Sequence, residues 1–305
     1  MTKPVRNIAA SVGQKLRTIA RARNEDFALV LTKFALERVL FRISKSKYRK
    51  VFVLKGALLF ELWTQQQYRA TRDADFLAHG ENTAERFIGI FRDVCEIAVP
   101  DDGLRFDAKD VTAERITEDA DYQGIRVNFL GHLENARIPI QIDIGFGDVI
   151  TPPPTEAIFP TLLDFPAPKL LTYPRESVVA EKFEAMVNLG IANSRMKDFY
   201  DLWKLSRDFS FDGSVLSEAV RKTFGRRDTD LPKDKPPIAF TAEFYQDQTK
   251  KQQWAGFCGK NKRYIAQVSL EEICKAIEGF LLPIVNALNT DEGLRQIWEE
   301  GGPWR

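Results

Sequence analysis

The segment IPIQIDIGF, which begins at Ile138, limits what this chain can fold into more than any other. Isoleucine stands at every second position, and the positions between hold Pro139, Gln141, Asp143 and Gly145. Because β-strand side chains alternate between two faces, this period predicts a strand with isoleucine on one face and Asp143 on the other. The sequence GIRVNFLGHL before it is also extended, and the short polar link LENAR predicts a hairpin.

The rest of the chain predicts a mixed α/β core between two helical parts. Strand periodicity or composition marks 51–56 and 71–77, and helical periodicity marks 11–47, 57–63, 81–98, 175–190 and 194–208. Ser194 is the expected N-cap of the last helix. The proline-rich segment 151–174 is predicted to be an irregular connection. We therefore expect helices and core in 1–150 and a helical domain in 175–305.

The composition excludes several classes of site. The chain has two histidines and three scattered cysteines, which argues against a histidine-based zinc site, Ser-His catalysis and a disulfide framework. It has no run of 18 apolar residues and no apolar signal-peptide core. We expect a cytoplasmic enzyme or binding protein without a membrane span, whose chemistry depends on carboxylates, lysines, arginines and backbone groups.

The net charge of +1 conceals an asymmetry along the chain. Residues 1–50 hold 13 basic and 3 acidic residues, whereas residues 73–148 hold 7 basic and 17 acidic residues. One interpretation of this asymmetry is a nucleic-acid-facing part beside a metal-binding part. The alternative is that the surfaces of these elements simply differ.

Two aspartates, Asp73 and Asp75, stand two apart in the predicted strand TRDADFL. Strand periodicity points both side chains to the same face. If this strand neighbours the one that carries Asp143, three carboxylates converge. Adjacent carboxylates repel unless a cation lies between them, and a pair of magnesium ions needs such hard oxygen ligands. The alternative is a solvated polar face, which a lone DxD often forms.

A turn at Lys55-Gly56 ends the strand that comes before these aspartates. A junction of strand, glycine and helix presents backbone N–H groups to a phosphate, although any tight turn can use glycine. Arg69 and Arg72 flank the DxD. They would either steady incoming phosphates or offset the carboxylates.

The order LKGALLFELW, RATRDADF and IQIDIGFGD resembles the nucleotidyltransferase superfamily of polymerase-beta type. Its signature is a Gly-Ser or Gly-Gly turn, a helix, a DxD strand and a third Asp on a later strand. The downstream ESVVAEKFEAMV and SRMKDFYDLW are similar to motifs of the AbiEii/AbiGii toxin family, which includes the MenT toxins. The resemblance covers about residues 15–260 and implies an α/β (α+β) fold, with a mixed-sheet nucleotidyltransferase core, N-terminal helices and a C-terminal helical domain.

The resemblance also implies which residues carry the reaction. Asp73 and Asp75 would hold Mg²⁺, or Mn²⁺ in its place, and thereby the nucleoside triphosphate. Asp143 would complete the carboxylate set as metal ligand or as base. Lys182 would contact the nucleotide phosphates or the base, and Asp198 matches the acidic residue of the last motif.

A wider set would bind the nucleotide: Lys55, Gly56, Ala57, Arg72, Lys182, Arg195, Lys197 and Asp201. Gly56 would lie against the β- and γ-phosphates. Ala57 departs from the family, which commonly has a second Gly or a Ser there; alanine keeps the backbone N–H but lacks a hydroxyl.

The residues of the last two motifs also have a purely structural interpretation. Lys182 would be an exposed lysine on the polar face of its helix. Asp198 and Asp201 share one helix face and would cap the helix or pair with Arg195 and Lys204.

The family resemblance implies a toxin of an abortive-infection, toxin–antitoxin system that moves a nucleotide to the 3′ end of tRNA and blocks translation, with an antitoxin as partner. Two basic stretches would suit an RNA backbone: Arg17, Arg21, Arg23, Lys45, Lys47, Arg49 and Lys50, and then Arg226, Arg227, Lys250, Lys251, Lys260, Lys262 and Arg263. Two alternatives stay open: transfer to a protein hydroxyl, and a regulatory binding protein that lacks catalysis.

Overall fold

The computed structural model of the protein describes residues 7–64, 71–117, 123–290 and 292–305. The chain divides into two compact units. Unit 1 comprises Met1–Gly147 and Thr155–Thr172, and unit 2 comprises Asp148–Pro154 and Tyr173–Arg305. None of the helices in the described ranges combines the length and the hydropathy that a membrane span requires.

Unit 1 begins with two helices, where the periodicity predicts one helix over 11–47. Helix α1 spans Ile8–Ala22 and α2 spans Phe27–Lys45. Between them Asn24 has a positive φ of 51°, and the Asp26 side chain accepts a hydrogen bond from a backbone N–H in the first turn of α2. This cap starts a new helix. The single long helix was therefore a wrong prediction, because the apolar spacing continues across the break.

An eight-stranded mixed sheet forms the core of unit 1 in the described part of the chain. Its strands are β1 (Phe52–Lys55), β2 (Asp73–Ala78), β3 (Arg105–Phe106), β4 (Thr112–Thr117), β5 (Gln123–Leu133), β6 (Ala136–Phe146), β7 (Thr155–Ile158) and β8 (Lys169–Thr172). Helices α3 (Leu58–Thr64) and α4 (Ala84–Cys95) follow β1 and β2, and a 3₁₀ turn covers Ala108–Asp110.

The strand order is β3-β5-β6-β2-β1-β8-β7, with β4 also paired to β5. β2 runs parallel to β6 and β1 parallel to β8, while the other pairs are antiparallel. The predicted hairpin is confirmed: a turn at Glu134 and Asn135 joins β5 to β6. Every isoleucine of the opening segment is buried, with at most 3% of its surface exposed.

The proline-rich segment 151–174 is more ordered than its composition predicts. Thr155–Ile158 and Lys169–Thr172 pair with each other as β7 and β8, and β8 extends the sheet beside β1. The prolines of the segment all lie outside these eight paired residues, where a missing N–H breaks no ladder. An irregular connection throughout was therefore a wrong prediction.

Helix α2 buries charged residues inside unit 1. Arg38 and Arg42 both donate to Asp102, and all three are at most 4% exposed. Glu37 pairs with Arg38 and accepts the backbone N–H of Leu162 at 2.7 Å. Burial raises the pKa of the Glu37 carboxyl to about 7.

Unit 2 is helical, as predicted, apart from a short two-stranded sheet. Its helices are α5 (Arg175–Leu189), α6 (Met196–Asp208), α7 (Gly213–Arg226), α8 (Ala242–Tyr245), α9 (Gln248–Asn261) and α10 (Leu270–Asn289). The remaining elements are β9 (Phe211–Asp212), β10 (Ile297–Trp298) and 3₁₀ turns at Gly190–Ala192 and Ile238–Phe240. Ser194 is not the N-cap of α6: that position is Arg195, which makes no side-chain cap hydrogen bond.

Candidate active site

Three carboxylates meet on adjacent strands of the unit 1 sheet. Strands β2 and β6 are neighbours, with Asp75 directly opposite Asp143. Asp73 lies two residues before Asp75 and hence on the same face. One oxygen from each carboxylate lies within 4.8 Å of the other two. Asp143 is buried and the other two are half-buried, so the set combines close spacing with partial access to solvent.

Neighbouring polar groups orient these carboxylates. Arg126 on β5 faces Asp143, with Nε 2.8 Å from Oδ1 and Nη2 2.8 Å from Oδ2. Gln141 Nε2 donates to the same Oδ2 at 3.1 Å, and the Thr71 hydroxyl donates to Asp73 at 2.6 Å. The sequence reasoning missed Arg126. The register of the predicted hairpin could have found it, because a two-residue turn places Arg126 opposite Asp143.

Gly56 is required by a close approach to the carboxylate of Asp75. Its φ is +74°, and a Cβ at this position would lie 1.8 Å from Asp75 Oδ2. Only glycine fits such a turn, which combines a positive φ with a side chain directly above the backbone. Lys55, the last residue of β1, lies directly opposite Asp75, so the turn brings both residues to the carboxylate set.

The other predicted nucleotide contacts of unit 1 are placed differently. Ala57 is buried and its carbonyl accepts the N–H of Phe60 as α3 begins. Arg72 is exposed just before β2. Arg69 lies outside the described residues.

Unit 2 holds the residues of the two later motifs together. Lys182 on α5 pairs with Asp198 and with Asp201 on α6, and its Nζ lies 2.9 Å from Asp201 Oδ2. The Lys182 side chain is 15% exposed and the two aspartates 7% and 1%. An exposed lysine was therefore the wrong structural alternative, and the two aspartates pair with this lysine.

The remaining residues of these motifs lie around this cluster. Arg195 is half-buried, and its backbone N–H donates to Asn193 Oδ1 at 2.8 Å. Lys197 is exposed. Lys204 forms its ion pair with Asp208, one turn further along α6.

The sequence profile of one family covers most of the chain. The family described as "Nucleotidyl transferase AbiEii toxin, Type IV TA system" matches residues 38–275. The chain belongs to the AbiEii family. It is accordingly a nucleotidyltransferase of a toxin–antitoxin family, with a nucleoside triphosphate as substrate and an antitoxin as partner. The matched range includes every residue that the sequence predicts for the site.

Two crystal structures from Helicobacter pylori are similar to this AbiEii-family chain. One is a proposed nucleotidyltransferase with a TM-score of 0.48 and 13% identity; the similarity covers 86% of this chain and 97% of that one. The other is JHP933, with a TM-score of 0.47 and 13% identity, covering 86% of this chain and 94% of that one. No curated protein matches the chain.

AbiEii-family enzymes use a divalent metal with the nucleoside triphosphate, and the donor set of unit 1 fits such an ion. Three carboxylates within 4.8 Å of one another offer the hard oxygen ligands that Mg²⁺ and Mn²⁺ take. A small recess opens beside two of these carboxylates, Asp75 and Asp143, and its walls also include Lys55, Gly124 and Gly145.

Two cations of the predicted basic surface are instead paired within unit 2, one half-buried and one buried. Arg227 lies 2.6 Å from Glu184 and 3.1 Å from Asp148, with Glu181 also within ion-pair distance. Burial lowers the pKa of this guanidinium, but the three carboxylates raise it by more, so the net shift is upward. Lys250 is 5% exposed and donates to the carbonyl of Asn193. Counting Arg227 and Lys250 in the RNA-facing basic surface was therefore a wrong prediction, because each is held by partners inside unit 2.

Proposed function

We propose that this AbiEii-family enzyme transfers a nucleoside monophosphate from a nucleoside triphosphate to the 3′ end of tRNA, and so blocks translation. The metal is Mg²⁺, and Mn²⁺ is an ion that the same ligands accept. One observation carries the proposal: Asp73, Asp75 and Asp143 lie on adjacent strands with their oxygens within 4.8 Å. A carboxylate set so close is unfavourable without cations beside it, and a phosphoryl-transfer site supplies them.

At the α-phosphorus the reaction forms one P–O bond and breaks one. The acceptor hydroxyl oxygen attacks the α-phosphorus, the bond from that phosphorus to the bridging oxygen breaks, and pyrophosphate leaves. The hydroxyl proton passes to a carboxylate of the set. When bound, magnesium stabilises the attacking and leaving oxygens. The chain itself mainly positions groups, which is the usual role of protein residues in phosphoryl transfer.

In unit 1, Asp73 and Asp75 hold the metal, and Asp143 completes the set. The Gly56 backbone lies against the β- and γ-phosphates, which is supported by its close approach to Asp75, a ligand of the metal that the triphosphate binds. Lys55, the N–H of Ala57 and the exposed Arg72 add contacts to the same phosphates.

In unit 2, Lys182 contacts the phosphates or the base of the nucleotide. Asp198 and Asp201 hold its ammonium in place, which is supported by the two ion pairs that they make with it. Arg195 and Lys197, at the beginning of α6, complete the nucleotide-binding residues.

The acceptor and the biological role are the finer parts of the proposal. Exposed cations in two separate stretches of the sequence support an RNA acceptor. They are Arg21, Arg23, Arg49 and Lys50 in the first stretch, and Lys251, Lys260, Lys262 and Arg263 in the second. We propose that the protein acts in phage defence, as a MenT-like toxin that its antitoxin restrains.

A labelled transfer assay tests the function. The purified chain is incubated with each α-³²P-labelled triphosphate, Mg²⁺ and either total RNA or a protein extract. We expect label in tRNA with one or more triphosphates and none with Asp73→Ala. Label on protein alone would overturn the RNA acceptor, and equal label with Asp73→Ala would overturn the carboxylate site.

Growth on expression tests the toxin role. We expect the wild-type chain to arrest cells and Asp73→Ala or Lys182→Ala to relieve the arrest. If the variants accumulate to wild-type levels and arrest growth equally, a non-catalytic binding role replaces the enzymatic one.

A further inference from the structure

A row of charged residues crosses the unit 1 sheet through the carboxylate set. On five adjacent strands the residues directly opposite one another are Glu114, Arg126, Asp143, Asp75 and Lys55. Directly opposed residues on neighbouring strands share a face of the sheet. The charges therefore run negative, positive, negative, negative, positive, and the two aspartates stand between two cations.

Arg126 grips Asp143 with its full guanidinium fork. Two N–H groups donate to the two carboxylate oxygens, and the donor–acceptor distance is 2.8 Å in each hydrogen bond. This bidentate geometry is the strongest form of ion pair that an arginine makes, and it fixes the plane of the carboxylate. The Asp143 side chain is 7% exposed and that of Arg126 is 34% exposed, so a buried carboxylate is paired with a partly exposed cation.

The electrostatic environment of Arg126 reaches beyond this partner. The hydrogen bonds to Asp143 are the largest cause that raises the pKa of the guanidinium, and the charges of Asp143, Glu114 and Asp73 add to it. Arg126 thus interacts with more than one member of the carboxylate set. It supplies positive charge beside Asp143, on the side away from Asp75, and so offsets part of the repulsion within the set.

We propose that Arg126 is a positioning residue that orients Asp143 for the transfer and competes with the divalent metal for that carboxylate. The inference rests on the proposed function, because it treats Asp143 as a ligand of the metal. Arg126 holds both oxygens of Asp143 in the arrangement described here, so a cation that binds Asp143 shares it with the guanidinium or loosens the fork.

If Arg126 and the metal compete for Asp143, replacing Arg126 by a neutral residue should strengthen metal binding and slow the transfer. Removing the guanidinium leaves the carboxylate set one unit more negative, so the set attracts a bare divalent cation more strongly. The same change releases the plane of Asp143, so the transfer slows. A residue that only stabilised the fold would weaken metal binding or leave it unchanged, and would not separate the two effects.

The test compares Mn²⁺ binding, measured by electron paramagnetic resonance, with the transfer rate in the full chain. We expect Arg126→Gln to bind Mn²⁺ about tenfold more tightly, which is the effect of one charge on a divalent ion at a nominal separation of about 6 Å in a solvated site. Its transfer rate should fall about 10²-fold, which is typical for a misplaced group. Arg126→Lys keeps the charge but not the fork, and should bind Mn²⁺ within about threefold of wild type while its rate falls.

Arg115→Gln is the matched control, since Arg115 lies next to Glu114 on β4 and is opposite Ile125, outside the charged row. It should leave both quantities unchanged. Unchanged or weaker Mn²⁺ binding by a folded Arg126→Gln would overturn the competition while the proposed function stands. Absence of Mn²⁺ binding by the wild-type chain would overturn the metal-dependent function and the competition with it.

A second measurement needs no variant that removes the charge. In the ¹⁵N-labelled wild-type chain, the Nε–H resonance of Arg126, assigned with Arg126→Lys, reports its hydrogen bond to Asp143. We expect this resonance to move on titration with Mg²⁺ while that of Arg115 stays in place. An Arg126 resonance that stays in place at a Mg²⁺ concentration that supports transfer contradicts the inference.

Discussion

Substituting Gly56 by alanine perturbs the carboxylate set through the backbone alone. The new Cβ would lie 1.8 Å from Asp75 Oδ2, whereas ordinary contact begins at 3.4 Å. The carboxylate or the turn must therefore move by about 1.6 Å, the difference between these two distances. Because Asp75 is directly opposite Asp143, such a movement separates two members of the set.

Two costs combine in Gly56→Ala. A non-glycine residue at positive φ costs roughly 1–2 kcal/mol of stability. A displacement of more than 1 Å in a positioned group costs about 10²-fold in rate. We therefore expect Gly56→Ala to unfold with roughly 1–2 kcal/mol less free energy. Its transfer rate should fall about 10²-fold, and it should bind Mn²⁺ more weakly.

Gly80→Ala is the matched control for the strain. Gly80 also has a positive φ, +97°, and lies in the same unit just after β2. Its Cβ would meet only the end of the flexible Arg86 side chain, at 3.0 Å. The control should therefore lose similar stability, roughly 1–2 kcal/mol, and keep its transfer rate.

Three measurements decide between these outcomes: urea unfolding, Mn²⁺ binding and labelled transfer, each on both variants. If Gly56→Ala keeps its rate and its Mn²⁺ affinity, Asp75 does not need the position that the turn reserves for it. If both variants lose activity equally, backbone strain and not the carboxylate explains the loss. Either result would refute the reasoning.

Three further predictions concern charges that are wholly or largely shielded from solvent. Because Glu37 has a pKa of about 7 in the folded chain against 4.5 when unfolded, the free energy of unfolding should fall by about 3 kcal/mol from pH 4.5 to pH 7 and level off above pH 7. Urea unfolding should show that Glu37→Gln removes this pH dependence. An unchanged pH dependence in the variant would contradict the assignment to Glu37. Lys182→Met leaves two buried aspartates without their ammonium and should cost about 3–5 kcal/mol of unfolding free energy. The control Lys197→Met should change this free energy by close to zero. Equal losses in the two variants would show that the ion pairs of Lys182 do not stabilise the fold. Arg227→Met should cost a similar 3–5 kcal/mol, whereas its exposed neighbour Arg226→Met should cost little, and a thermal melt in which the two variants coincide would be the contrary result.

Local pattern was sufficient for much of the unit 1 sheet. The alternation around Asp143 and the turn at Glu134 predict the β5–β6 hairpin, because a period of two and a short polar link leave little choice of register. The elements that local pattern missed depend on other contributions. The separate start of α2 depends on one side-chain cap at Asp26. Strand β8 forms because the edge of β1 offers it a partner, and β7 pairs with β8 in turn.

The charged residues show the same division more clearly. Sequence motifs single out Asp73, Asp75 and Lys182 by type and spacing. They give no sign that Lys182 lies between two aspartates of the next helix, or that Arg227 lies among three carboxylates. These contacts join residues 16 to 79 positions apart in the chain. No period or motif relates such positions.

What the sequence by itself determined is which face each residue of an element occupies, since helix and strand periods are properties of the local backbone. Only the tertiary structure decided which charges meet. Electrostatic interaction depends on the distance between charges in space, and that distance was set when β6 paired with β2 and when α5 packed beside α6. The isoleucine alternation thus places Asp143 off the apolar face of β6, but the pairing of β6 with both β2 and β5 gives it Asp75 on one side and Arg126 on the other.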